Sequence, residues 1–119
     1  MKRRAAVILA LAALAAVATG CGALPPEAPV PVAGAISRAL TTIASSCGEA
    51  YRLQAFSPHP DLSGLEATAG ASARRLAPIV RRHPRWIYES DTLTEITQLS
   101  AADLRACALP GAAAALRSG

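Results

Sequence analysis

Asparagine is absent, lysine occurs once, at Lys2, and only four residues are aromatic: Tyr51, Phe56, Trp86 and Tyr88. So few aromatics exclude a core built on large planar side chains. Apolar residues make up 52% of the 119-residue chain, but much of that share is alanine. Alanine buries little surface per residue, so the core of the one modest domain this length allows must be thin. Charge of one sign is also scarce. The formal net charge is +4. With Lys2, Arg3 and Arg4 set aside, nine basic residues face eight acidic ones, a net charge of +1. That balance gives no phosphate-binding surface of the kind nucleic acid requires.

Catalytic and cofactor motifs are missing too. No G-x-S-x-G, Walker loop or G-x-G-x-x-G occurs, and Gly64 and Gly70 are too isolated to cradle phosphate. C-x-x-C and C-x-x-C-H are absent, which excludes the usual redox-exchange and attached-haem patterns. The two histidines, His59 and His83, each lie beside a proline at an expected helix end, and H-E-x-x-H is absent. A metal would need three or four converging ligands. His59, His83, Asp61 and Glu89 have no spacing that brings them together, so no metal ligands are assigned. Glu89, Asp91 and Glu95 cluster near a helix start, where carboxylates favour the helix dipole without any acid–base role. No catalytic residue and no cofactor are assigned.

The first twenty residues carry a different kind of information. Lys2, Arg3 and Arg4 form a cationic start, Ala5–Val17 is an uncharged apolar run, and Ala18, Thr19 and Gly20 are small. This is the layout of a secretory signal. The run of about 13 residues is shorter than the roughly 20 a stable membrane span needs, and Gly20, Gly22, Pro25 and Pro26 would end a permanent anchor helix early. Ala18-Thr19-Gly20-Cys21 resembles the lipobox of bacterial lipoproteins, with Ala18 standing where leucine is more usual. The resemblance covers residues 1–21. It implies a diacylglyceryl group on the Cys21 thiol and cleavage just before it. It also implies a mature protein tethered to the extracytoplasmic face of a cell membrane without spanning it. One acyl chain holds weakly, at about 0.8 kcal/mol per buried methylene, whereas two or three hold durably. The alternative is an ordinary secretory cleavage site and a freely secreted protein.

Residues 22–34 read GALPPEAPVPVAG, with four prolines. Prolines at this density favour extended, polyproline-like backbone, and such a spacer reaches roughly 40 Å at about 3.1 Å per residue. Residues 21–34 are therefore read as lipidated cysteine plus linker, 35–109 as the helical domain and 110–119 as a flexible tail. In the first helix Ile36, Leu40, Ile43, Cys47, Ala50 and Gln54 form a stripe. Gly48 would permit close approach by a neighbour, and Pro58 and Pro60 end the helix. Asp61 or Ser63 can cap the second helix. Its stripe is Leu62, Leu65, Ala69, Ala73, Leu76 and Val80, and Pro78 should kink or split it near Ala77. The segment from Arg85 to Asp91 is a connecting loop in which Trp86 covers one end of the core. The third helix starts at the capping-box spacing Thr92-x-x-Glu95 and restarts at a second, Ser100-x-x-Asp103. The fold class is all-α: a small antiparallel three-helix bundle with one helix kinked or broken.

Three cysteines are awkward in an exported chain. Assigning Cys21 to lipid leaves Cys47 and Cys107, each on the apolar face of its helix. Outside the cytoplasm such a pair can oxidise and persist. A bridge would close a loop of about 60 residues, worth roughly 4 kcal/mol on the chain-entropy model. The alternative is two buried thiols that never meet.

The remaining feature is a basic set: Arg74, Arg75, Arg81, Arg82, His83 and Arg85. Such a set is ordinarily a solvated helix face. Its functional reading is contact with anionic lipid headgroups or with an acidic envelope protein, through Arg74, Arg75, Arg81 and Arg82 above all. The expected function is thus a small membrane-anchored lipoprotein of the cell envelope, a non-catalytic binding or accessory module. An enzyme or ligand carrier would instead need a concave pocket gathering His83, Trp86, Tyr88 and Glu89.

Overall fold

The computed structural model describes residues 26–118. Four helices and one minimal hairpin follow in the order α1 (Val30–Phe56), α2 (Ser63–Arg82), β1 (Ile87–Tyr88), β2 (Asp91–Thr92), α3 (Leu93–Ala106) and α4 (Pro110–Ser118). The fold is all-α apart from that hairpin. Helix α2 is central: its most extensive contacts are with α4 and α1, and α4 also packs on α3. The largest fully buried side chains are Ile36, Leu76, Leu93, Leu104, Cys107 and Leu109; alanines such as Ala50, Ala69, Ala73, Ala101 and Ala112 fill most of the remainder. A core of this kind gains its contacts by bringing helix backbones close rather than by interlocking large side chains. Trp86 is half-buried and packs against this core.

Helix α1 begins at Val30, inside the segment expected to be extended linker. Pro29 holds the extended N-cap conformation, with φ −56° and ψ 149°, and Pro31 lies in the first turn. The first N–H groups of a helix have no intrahelical partner, so the missing N–H of a first-turn proline is not missed. The ladder starts with the Ala33 N–H donating to the Pro29 carbonyl at 2.8 Å. The α1 stripe is buried at Ile36, Ile43, Cys47 and Ala50 and half-buried at Leu40. Gln54, the polar member of that stripe, donates from Nε2 to the carbonyls of Ala50 and Cys107, both at 2.9 Å. It thereby ties α1 to the end of α3. Gly48 permits no close approach: a Cβ there would meet nothing within 4 Å.

Helix α2 is introduced by Asp61, whose Oδ1 accepts from the Ser63 N–H at 3.0 Å and the Ser63 hydroxyl at 2.7 Å. These bonds hold the Asp61 carboxyl below its ordinary range, the hydroxyl bond most of all. The expected break at Pro78 does not occur; the helix runs through it to Arg82. Pro78 leaves the Arg74 carbonyl without its usual donor. The ladder resumes beyond it and continues to the His83 N–H on the Ile79 carbonyl at 2.9 Å.

The expected loop between α2 and α3 is a hairpin. Ile87 pairs with Thr92 and Tyr88 with Asp91. Glu89 and Ser90 have φ of 48° and 74°, the two left-handed residues of a type I′ turn, whose twist suits a two-residue hairpin. The partner of Ile87-Tyr88 is the segment directly after the turn. Glu27 adds a parallel bridge to Ile87 on the other edge.

Helix α3 is capped by Thr92, whose Oγ1 accepts from the Glu95 N–H at 3.2 Å. It continues past Ser100 without restarting, because mid-helix N–H groups already serve the backbone ladder and need no side-chain cap. At its end the Leu109 N–H donates to the Leu104 carbonyl at 2.8 Å and the Ala108 N–H to the Arg105 carbonyl at 3.2 Å. With Ala108 left-handed at φ 68°, this is a Schellman motif carrying alanine in the usual glycine position. Its apolar contact is also present, Leu104 and Leu109 both being fully buried.

The reversal sends the chain into α4, where a flexible tail was expected. Pro110 opens α4 in the position that suits proline best. The alanine run that follows has the strongest intrinsic helix preference, and Ala112, Ala113 and Leu116 are buried. The bundle therefore has four helices among the described residues.

Candidate functional site

Cys21, the expected lipidation site, lies outside the described residues. The chain enters the described structure at Pro26 and is fixed at once. The Ile87 N–H donates to the Pro26 carbonyl at 3.1 Å and the Ala28 N–H to the Ile87 carbonyl at 3.0 Å. Pro29 follows this short pairing, and Pro26 needs to supply only its carbonyl, which a proline retains. Sequence reasoning missed this attachment. Its signal was weak: a β-prone Ile87-Tyr88 pair and an extended Pro-Glu-Ala segment 60 residues away.

Cys47 and Cys107 are brought together, with Sγ atoms 2.03 Å apart and Cα atoms 5.5 Å apart. Helix α1 presents Cys47 on its buried stripe, and the Schellman turn presents Cys107 at the end of α3. The bridge closes a 60-residue separation and fastens the α1–α3 pair, which otherwise has sparse contact. Beside it runs a shallow apolar groove of about 520 Å³, flanked by the exposed side chains of Tyr51 and Leu99.

Of the arginines expected to act together, Arg74, Arg75, Arg81 and Arg82 are exposed on α2 and Arg85 is exposed just beyond its end. Among the described residues an uninterrupted run without Asp or Glu extends from Ala67 to Tyr88 and contains Arg74, Arg75, Arg81, Arg82 and Arg85. Glu49 and Arg52 of α1 form an exposed ion pair. That contact lowers the Glu49 carboxyl and raises the Arg52 guanidinium, in each case first through the side-chain hydrogen bond between them. The structure also adds a residue to the basic set. Arg38 of α1 and Arg75 of α2 line one cleft of about 510 Å³ between the two helices, with Leu76 and Ile79 on its apolar side. Arg38 had no sequence signal, since it simply falls on the polar flank of its own helix.

The residues an enzyme reading would gather do not line either groove. His83 stacks on Trp86, with ring centroids 3.6 Å apart and planes 2° from parallel. Tyr88 and Glu89 lie beyond them, on and after β1. Among the described residues no three of His, Cys, Asp or Glu group as metal ligands, and no helix is long and apolar enough to cross a membrane. Comparison with protein-family models, curated proteins and solved structures returns no match.

Proposed function

We propose that the protein is a small lipoprotein of the bacterial cell envelope, anchored through acylated Cys21, whose helical domain is a non-catalytic binding or accessory module. The observation that carries this reading is the Cys47–Cys107 pair at bonding distance, read with the charged start, apolar run and small residues before Cys21. A disulfide that closes the fold suits an oxidising compartment, and a signal layout delivers the chain there. With those two cysteines joined, Cys21 is the one left for lipid.

The pairing of Pro26 and Ala28 with Ile87 shortens the expected stand-off. Only five residue steps separate Cys21 from Pro26, and a chain of that length spans at most about 18 Å. The domain would sit near the headgroups rather than roughly 40 Å away. The basic run of α2, with Arg74, Arg75, Arg81 and Arg82, then has an anionic lipid surface or an acidic envelope protein within reach.

Growth of the source bacterium with labelled palmitate tests the anchor. Label recovered in the protein and lost in Cys21→Ala supports it. An exported protein that never takes up label is the freely secreted form instead.

A further inference from the structure

We propose that the cleft between α1 and α2 is a binding site for a phosphate ester, held by Arg38 and Arg75. Arg38 and Arg75 both line the cleft, and no Asp or Glu does. Neither arginine forms an ion pair among the described residues. Ser37, Thr41, Thr42 and Ser72 line the same space.

Ser72 is the most telling of these. It is 7% exposed and makes no side-chain hydrogen bond to another described residue, whereas buried Ser46 bonds the Thr42 carbonyl at 2.8 Å. Among the described residues no fully buried side-chain oxygen lacks a partner. The Ser72 hydroxyl therefore opens into the cleft, where a ligand oxygen can satisfy it.

The donor inventory selects the ligand. Each guanidinium offers a planar fork of N–H groups that matches an oxyanion bidentately. Two forks and several hydroxyls exceed what the two oxygens of a carboxylate accept, and they match the oxygens of a phosphate. A volume of about 510 Å³ is in the range of small-molecule sites and leaves room for an organic group beside the phosphate. Leu76 and Ile79 give that group an apolar wall. A phospholipid headgroup and a soluble phosphate ester share this chemistry. The site does not depend on the anchor, since all its residues belong to α1 and α2.

The test uses the full chain purified in a maltoside detergent. It is titrated separately with phosphatidylglycerol, glycerol 3-phosphate and phosphate-free diacylglycerol, and the arginine Nε–Hε resonances are followed by NMR. Saturable shifts at Arg38 and Arg75 with phosphatidylglycerol alone support the site and assign it to lipid. The same shifts with glycerol 3-phosphate support it and assign it to a soluble ester. The joint variant Arg38→Gln, Arg75→Gln should bind about tenfold more weakly or worse. Arg38→Lys, which keeps the charge but loses the fork, should be intermediate. Arg105→Gln with Arg117→Gln should bind as the parent does, and amide spectra report whether each variant is folded. The proposal is overturned by no shift in any arm, by equal shifts with diacylglycerol, or by equal shifts at Arg105 and Arg117.

Discussion

Glu66 on α2 accepts the backbone N–H of Ala112 on α4, Oε1 to N 3.0 Å, across 46 residues of sequence. The first N–H groups of a helix need acceptors from outside it. For α4 one is supplied by the neighbouring helix rather than by its own N-cap. A negative group is also the favourable one at this end of a helix dipole. Gly111 makes the approach possible, because a Cβ there would collide with the same carboxylate oxygen.

Loss of this tertiary cap should cost about 1 kcal/mol, as loss of an N-cap does. Glu66→Ala is expected to lower the urea midpoint by a corresponding amount, whereas in Gly111→Ala the same loss is offset by about 0.4–1 kcal/mol from the less free unfolded chain. The double variant should be no less stable than Glu66→Ala, since both changes remove the same bond. Fully additive losses would show that the two residues act separately.

Removing the bridge between Cys47 and Cys107 should be the most damaging of these changes. The alanine-filled core has little apolar area in reserve, and the chain-entropy model assigns the closed loop roughly 4 kcal/mol. Thermal melts with and without reductant should differ by tens of degrees, or show no folded protein at 37 °C after reduction. A melt unchanged by reductant, with both thiols then alkylated, would contradict this.

Ala108 offers the opposite sign. A non-glycine residue held at φ 68° carries a steric penalty of about 1–2 kcal/mol that glycine avoids. Part of that gain is returned through the freer unfolded chain. Ala108→Gly is therefore expected to stabilise the protein by about 0.5–1 kcal/mol in chemical denaturation. A destabilising outcome would mean the turn after α3 is not left-handed.

Acid should act through Asp61. Its carboxyl is held below the ordinary range by the Ser63 hydroxyl and N–H. Its contribution is thus fully present above the unfolded value, near pH 4. It is lost as pH falls through the lower, folded value. Stability measured from pH 6 to pH 2 should fall less steeply in Asp61→Asn, which keeps an acceptor for Ser63 but has nothing to protonate. An acid limb identical to that of the parent would exclude this role.

The two long stripes were legible because they extend over many turns: Ile36 to Gln54 on α1 and Leu62 to Val80 on α2 each repeat often enough to fix a buried face. Cys47 was legible for the same reason; Cys107 was expected on the apolar face of the third helix and stands in the turn that closes it. Prolines misled where position mattered more than identity. Pro31 falls in a first turn, where its N–H is not needed, and α2 runs through Pro78 to Arg82. Helix α4 was hidden because its face has only Ala112, Ala113 and Leu116 to announce it, and its cap comes from Glu66 on another helix. The hairpin depends on Glu89 and Ser90 adopting a left-handed turn that neither residue type advertises. Of the candidate site, Arg75 was visible within a run of arginines. Arg38 was not, because what joins it to Arg75 is the packing of α1 on α2, which no local pattern encodes.

Intact-mass analysis of the protein extracted from the membrane fraction tests lipid attachment at Cys21 most directly. The expected species begins at Cys21, carries the mass of a diacylglyceryl group on that residue and lacks two hydrogens for the Cys47–Cys107 bond. A full-length chain from Met1, recovered from the cytosol with three free thiols and no added mass, would contradict both the anchor and the compartment.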